Sequence, residues 1–232
     1  MIVLSDPRVA DVPVRDCGEP LAEVAALPRV TLDPGERDPD GAYGRARAGV
    51  CARLRTAVAG LPAGWGFLVV EGHRSSAEQA RRFARYQDRL RAAGHTDPAE
   101  LRRRTAAFVA PVEVAPHCTG AALDLTLVDD RGRALDMGGA VNGHRTGDEE
   151  RCPFDAPGLP ARARHHRALL GGALVGAGFV NYPSEWWHWS YGDRYRDNRS
   201  ALPFTGGEAI LSAALARRLE RTVLLLDVLA DD

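Results

Sequence analysis

The stretch Pro116-His117-Cys118-Thr119-Gly120-Ala121-Ala122-Leu123-Asp124 makes the tightest demand on any fold this chain adopts. It holds a histidine and a carboxylate seven positions apart. On one strand that odd spacing would send the two side chains to opposite faces. Gly120 removes the conflict if it marks a turn or bulge, so that His117 precedes a strand and Asp124 lies on it. The strand would run from Leu123 to Val128, with Leu123, Leu125 and Leu127 on one face and Ala122, Asp124 and Thr126 on the other. Farther along, Ser184-Glu185-Trp186-Trp187-His188 offers a second histidine, with an acid three residues before it. The fold has to bring these two stretches together.

Their chemistry says why. Two histidines and one aspartate are a complete protein ligand set for a catalytic zinc ion, Zn2+, which keeps its fourth position for water. The first stretch taken alone reads equally as a core histidine near a surface aspartate. The second tips the reading toward a metal site, with His117, Asp124 and His188 as ligands. Glu185, in a turn before a strand that begins near Trp187, can then lean over the metal as a proton acceptor without binding it. A hydrolytic oxyanion also needs a second cation, and Arg74 is the candidate: it follows Gly72 where the run Phe67-Leu68-Val69-Val70 ends and a helix begins. His165 and His166 lie among arginines and are expected to be solvated. His73 borders the cleft or is a surface neighbour of Arg74, and His95 and His144 fall in polar loops. Cys118 reads as a buried thiol pointing away from the ligands.

Other chemistries fall away. All 30 basic residues are arginine, so no lysine is available for a Schiff base or a phosphate-binding loop. No Gly-x-Ser-x-Gly elbow occurs, and no Cys-His pairing has supporting context. A formal net charge of -1 argues against a general nucleic-acid or membrane binder. No apolar run reaches the length of a membrane span, and the first residues lack the pattern of an export signal. Cys17, Cys51, Cys118 and Cys152 are scattered and without metal-type spacing, which suits free thiols. The expectation is a cytoplasmic protein.

In order, the chain reads as loops and short strands to about Asp40, then a helix within Gly41–Leu61 carrying Val50, Leu54 and Val58. Ser75 and Glu78 have capping-box spacing for a helix to about Ala93, and Asp97-Pro98 opens another to about Ala107. Pro111 and Pro116 keep the approach to His117 extended. Asp129 to Gly132 is a turn, residues 137–160 are the expected mobile loop, and a helix runs from Pro160 or Ala161 to near Gly178. An amphipathic helix at Glu208–Leu229 packs on the core or mediates homodimer contacts. Residues 1–232 form one α+β domain.

These motifs resemble a known group. His117-x-x-Gly120-x-Ala122-x-Asp124-Leu125-Thr126-Leu127, Met137-Gly138, Gly178-Phe179 and Glu185-Trp186-Trp187-His188 are similar to the D-alanyl-D-alanine dipeptidases of the VanX type, within the hedgehog/D,D-peptidase fold. The resemblance covers about residues 71–195. It implies an antiparallel sheet with helices packed on it, zinc held by His117, Asp124 and His188, Glu185 as general base and a small peptide substrate. Gly72-His73-Arg74-Ser75 aligns with the family's Gly-Tyr-Arg-Pro, which gives Arg74 the oxyanion role. This chain has Ala115 where the family commonly has Ser, and Ala140-Val141-Asn142-Gly143 where it has a Phe-Asp pair. Those departures touch the groups that would hold a dipeptide's ammonium. Two alternatives follow: the same machinery cleaving another amide, or a zinc-stabilised binding domain.

Overall fold

A computed structural model describes residues 6–13, 15–35, 38, 40–106, 108–145 and 147–194. The elements are α1 (Pro7–Ala10), β1 (Leu21–Glu23), β2 (Val30–Leu32), β3 (Arg45–Arg47), α2 (Ala48–Ala59), β4 (Gly66–Glu71), α3 (Ser76–Ala92), α4 (Pro98–Ala106), β5 (Ala122–Val128), α5 (Ala161–Gly176), β6 (Val180–Asn181) and β7 (His188–Ser190). The main sheet has five strands in the order β2-β4-β5-β7-β6, and β1 pairs with β3 in a separate two-stranded ribbon. The α+β expectation holds. The sheet departs from a purely antiparallel one at its edge, where β2 runs parallel to β4. A parallel pair needs a long crossover, and the segment holding β3 and α2 provides it.

β5 is central, and all seven of its residues are buried. Leu123, Leu125 and Leu127 point into the core with Phe67 and Val69 of β4, Val50, Leu54 and Val58 of α2, and Leu170 and Leu174 of α5. Each buried leucine contributes about 1.5–3 kcal/mol through removal of apolar surface from water. The opposite face of β5 is also covered, and this is where Asp124 lies. The alternation read from the sequence therefore separates a core face from a site face.

α3 begins where the capping box places it, with the Ser75 hydroxyl accepting from the Glu78 backbone N–H at 3.2 Å. After β5, Gly132 donates to the Asp129 carbonyl and closes the expected turn. The approach to His117 differs from expectation. Pro111 is extended, but Val112–Val114 and Pro116–Thr119 are each a turn of 3-10 helix, with Pro116 in the first turn of the second. Proline's missing N–H and fixed φ suit a helix start as well as an extended run.

Residues 137–160 form an irregular connection that is fastened by Arg167 of α5. Its guanidinium donates to the carbonyls of Met137, Arg151, Pro153 and Phe154. His166 is buried, contrary to the expectation of a solvated side chain, and its Nδ1 lies 2.7 Å from the Asp136 carbonyl. His165 is exposed, as expected. Of the free thiols, Cys51 and Cys152 are buried, Cys118 is partly buried and Cys17 is exposed. No helix among the described residues is long and apolar enough to cross a membrane. The helix expected at Glu208–Leu229 and its dimer contact lie outside the described residues.

Candidate metal centre

The sheet register builds the site. In the β4–β5–β7 portion, Glu71 pairs with Asp124, and Asp124 pairs with His188. Directly opposed residues on neighbouring strands share a face, so these three form one row across the sheet. The row depends on an irregularity in β4: Val69 pairs with Leu125, and the register then slips before Glu71. A one-residue slip turns a side chain to the other face. Without it Glu71 would sit on the leucine face and not beside Asp124.

His117 enters the row from the 3-10 turn before β5. Gly120 ends that turn with φ 70°, and the same left-handed residue redirects the chain into the strand. Small size matters there because of the β1–β3 ribbon: a Cβ on Gly120 would lie 2.5 Å from Leu21 Cδ2 and 3.2 Å from Arg47 Cγ. The close approach at Gly120 is thus to Leu21 and Arg47.

His117 Nδ1 lies 2.7 Å from the Gly72 carbonyl. A carbonyl only accepts, so Nδ1 carries the proton and Nε2 presents a lone pair. That Nε2 is 3.2 Å from His188 Nδ1 and 3.4 Å from Asp124 Oδ1, and Asp124 Oδ1 is 3.0 Å from His188 Nδ1. Ligands about 2.0–2.2 Å from a tetrahedral zinc stand roughly 3.3 Å from one another. The three atoms meet that spacing, and all three residues are buried. Nε2 of His188 is buried with no partner among the described residues, so the ring's polar interactions all lie on its Nδ1 side. This donor set fits zinc.

Burial by itself would raise the Asp124 pKa, but the charges and hydrogen bonds of His117 and His188 hold it well below the usual carboxylate range. Asp124 is therefore ionised and ready to bind a cation. Glu185 is its opposite. Burial pushes its pKa up to about 7, with His188 pulling down and Asp124 pushing up. A bound dication would draw it down again.

Glu185 sits in the turn before β7, where its backbone N–H donates to the Tyr182 carbonyl. Its Oε2 is 3.9 Å from His188 Nδ1, outside the ligand cluster, and its side chain is 21% exposed to the cleft. The turn is fixed from two sides. Asn181 Nδ2 donates to the carbonyls of Glu185 and His188. Trp186 N donates to the Cys152 carbonyl and Phe154 N to the Pro183 carbonyl, which ties the turn to the 137–160 connection. The flanking tryptophans, Trp186 and Trp187, are buried and meet edge to face.

Arg74 is brought to the same cleft. Glu71 accepts from its Nε and Nη2 at 2.6 Å each, and Gln79 Oε1 accepts from Nη1 at 2.5 Å. Burial alone would lower the Arg74 pKa, and the Glu71 carboxylate more than offsets this. Burial likewise acts to raise Glu71, yet Arg74 and Arg82 keep it ionised. Two further guanidinium N–H groups of Arg74 remain for the cleft.

The cleft has a volume of about 320 Å³ and contains His117, Asp124, His188, Glu185 and Arg74. All five residues selected from the sequence meet there. Sequence reading missed other members: His144, Asn142, Arg145, Tyr182 and a face of α3 also line it. His144 stacks on Trp187 at 6.0 Å between ring centres. It lies in an irregular segment, so no periodicity marked it. His73 is absent from the lining, and its backbone N–H donates to the Arg45 carbonyl.

The family model described as Peptidase_M15, D-ala-D-ala dipeptidase, matches residues 47–204. A D-alanyl-D-alanine dipeptidase from Synechocystis is 32% identical over 218 residues, covering 79% of this chain and 86% of that protein. Among solved structures, the vancomycin resistance D,D-pentapeptidase VanY in complex with Zn(II) has a TM-score of 0.43 and 18% identity, over 72% of this chain and 84% of that one. VanYB in complex with D-alanine-D-alanine has a TM-score of 0.44 and 18% identity, over 72% and 83%.

Proposed function

The chain belongs to the M15 peptidase family described as D-Ala-D-Ala dipeptidases, and on that premise we propose that it is a zinc dipeptidase in which Glu185 is the general base and Arg74 meets the oxyanion. One observation carries the reading: three lone-pair atoms converge at 3.0–3.4 Å while a second acid, Glu185, stands 3.9 Å from His188 Nδ1. His117 Nε2, Asp124 Oδ1 and His188 Nδ1 would hold zinc. When bound, zinc polarises the scissile carbonyl and makes water acidic enough to attack near neutral pH.

The protein's own groups do the rest. Glu185 takes a proton from the attacking water on a carboxylate oxygen and delivers it to the leaving amine nitrogen. Arg74 keeps its fork on Glu71 and directs its remaining N–H groups to the negative charge that develops on the carbonyl oxygen. Gly72 keeps His117 in the required tautomer. The tryptophan-lined turn holds Glu185 in place and excludes water behind it.

The test is Glu185→Ala. It should retain one zinc per chain by metal analysis and lose about 10²–10⁴-fold in kcat on D-Ala-D-Ala. Turnover at the parental rate would sink the general-base assignment. Loss of the zinc would show that Glu185 is a ligand. A different amide substrate is the second reading, favoured by the cleft's composition: neutral Asn142 and Ala115 line it, and among the described residues its only carboxylates are Asp124 and Glu185.

A further inference from the structure

One side of the cleft serves no step in that chemistry. Arg82, Arg85, Tyr86 and Arg89 of α3 line it, and their spacing puts them on one face of the helix. With the neighbouring Arg74 there are four guanidinium groups here, and three of them share two carboxylates. Glu71 accepts from Arg74 and Arg82, and Glu78 accepts from Arg82 and Arg85. Glu78 is further shared with Arg81. Arg89 is paired with no carboxylate among the described residues. The excess charge faces the cleft, and a bound metal dication would add to it.

Beside this charge lies apolar surface that folding left open. Phe108 is 47% exposed, the most of any large hydrophobic residue among those described. It stacks on Tyr86 at 5.6 Å between ring centres and 24° between planes. Both rings line the cleft. A ledge of two parallel rings flanked by guanidiniums suits a ligand with a short apolar body and an anionic end.

We propose that this α3 face is a substrate subsite for carboxylate-bearing peptides, with Arg85 and Arg89 taking the carboxylate and the Tyr86–Phe108 pair supporting the chain that carries it. The inference rests on the zinc peptidase reading of the adjoining site and names its preferred substrate class. The arginines are exposed at the rim, so each contact is weak on its own. Their combined field raises the local concentration of anionic substrate and declines with added salt.

Two matched substrate pairs test this on the full-length, zinc-loaded protein. N-succinyl-D-Ala-D-Ala against N-acetyl-D-Ala-D-Ala varies charge on the acyl side; D-Ala-D-Glu against D-Ala-D-Gln varies it on the leaving side. In one of the pairs the acidic member should have a kcat/KM higher by about tenfold at low salt, falling toward parity near 1 M salt. The pair that responds identifies the end of the substrate that reaches α3. The double substitution Arg85→Glu and Arg89→Glu should bring the preference to parity or invert it, and Arg89→Gln alone should reduce it partway. Equal kcat/KM within both pairs, or a preference untouched by charge reversal, overturns the proposal. Calorimetric binding of the same peptides to zinc-loaded Glu185→Ala protein gives a readout independent of turnover. A charge preference there supports the subsite whatever the fate of the general-base assignment, and its absence sinks the subsite even if the chemistry stands.

Discussion

The two walls of the cleft are built by different means. The sheet wall carries His117, Asp124 and His188, all buried and tied to a backbone ladder or to a carbonyl. Its charged groups are buried and held by short contacts, as with Asp124 between two imidazoles and Glu71 in the fork of Arg74. The facing wall of α3 and the 137–160 connection presents arginines that share acids and an irregular chain held by side-chain bonds. Fixed geometry serves a reaction that tolerates little displacement. Exposed, shared charge can only bias which molecule enters. Two buried arginines mark the same division. Arg74 has a carboxylate, which more than offsets the cost of its burial. Arg167 donates to carbonyls and has no carboxylate partner among the described residues, and burial pulls its pKa down to about 10.

That contrast can be broken by experiment. The largest effect is expected from Arg74→Lys, which keeps a charge but loses the fork. The rate kcat should fall by about 10²-fold with KM changed far less, and steady-state kinetics would show an equal rise in KM if Arg74 only binds substrate. Arg167→Met should instead lower stability by about 2–3 kcal/mol by urea unfolding, because buried carbonyls lose their donor. A kinetic defect out of proportion to that loss would show that the connection takes part in the reaction. Gly72→Ala would bring a Cβ to 2.3 Å from the Arg45 carbonyl. Displacing the group that orients His117 should weaken zinc affinity by about 10-fold, measured by chelator competition.

The smallest effect belongs to Glu78. Burial would raise its pKa, and Arg81 and Arg85 outweigh that to hold it below its ordinary value of 4.5. Its contribution is therefore complete above that value and is lost as pH falls through the depressed pKa. Glu78→Gln should cost at most about 1 kcal/mol at pH 7, and the gap to the parent should close in acid. Urea midpoints at the two pH values check the sign.

The sheet wall was legible in the sequence because its rules are local. The alternation through Leu123–Leu127, the glycine at 120 and the capping pair Ser75–Glu78 each have a single cheap structural solution. The convergence of His117, Asp124, Glu185 and His188 could be inferred from their chemistry. The β4 slip that turns Glu71 toward Asp124 has no comparable mark, since Val69-Val70-Glu71 reads as an ordinary strand end. His166 was misjudged because its neighbours in sequence are arginines, while its neighbour in space is the Asp136 carbonyl. His144 and the α3 arginines were missed for a similar reason. In a chain with so many arginines, nothing in the sequence distinguishes a solvated helix face from one that borders a cleft.

The Gly72 carbonyl that fixes His117 is itself held from outside the ligand-bearing strands. Gly72 N donates to the Tyr43 carbonyl and His73 N to the Arg45 carbonyl, each at 2.7 Å. Both supports precede residue 47, where the family match begins. The boundary of the family match is therefore not a boundary of mechanical independence. A chain trimmed to start at residue 47 would retain His117, Asp124, His188, Glu185 and Arg74, yet it would lose the shelf that sets the His117 tautomer, along with Val24, Val30 and Ala46 of the core. The segment before residue 47 is the mounting on which the matched site is aligned.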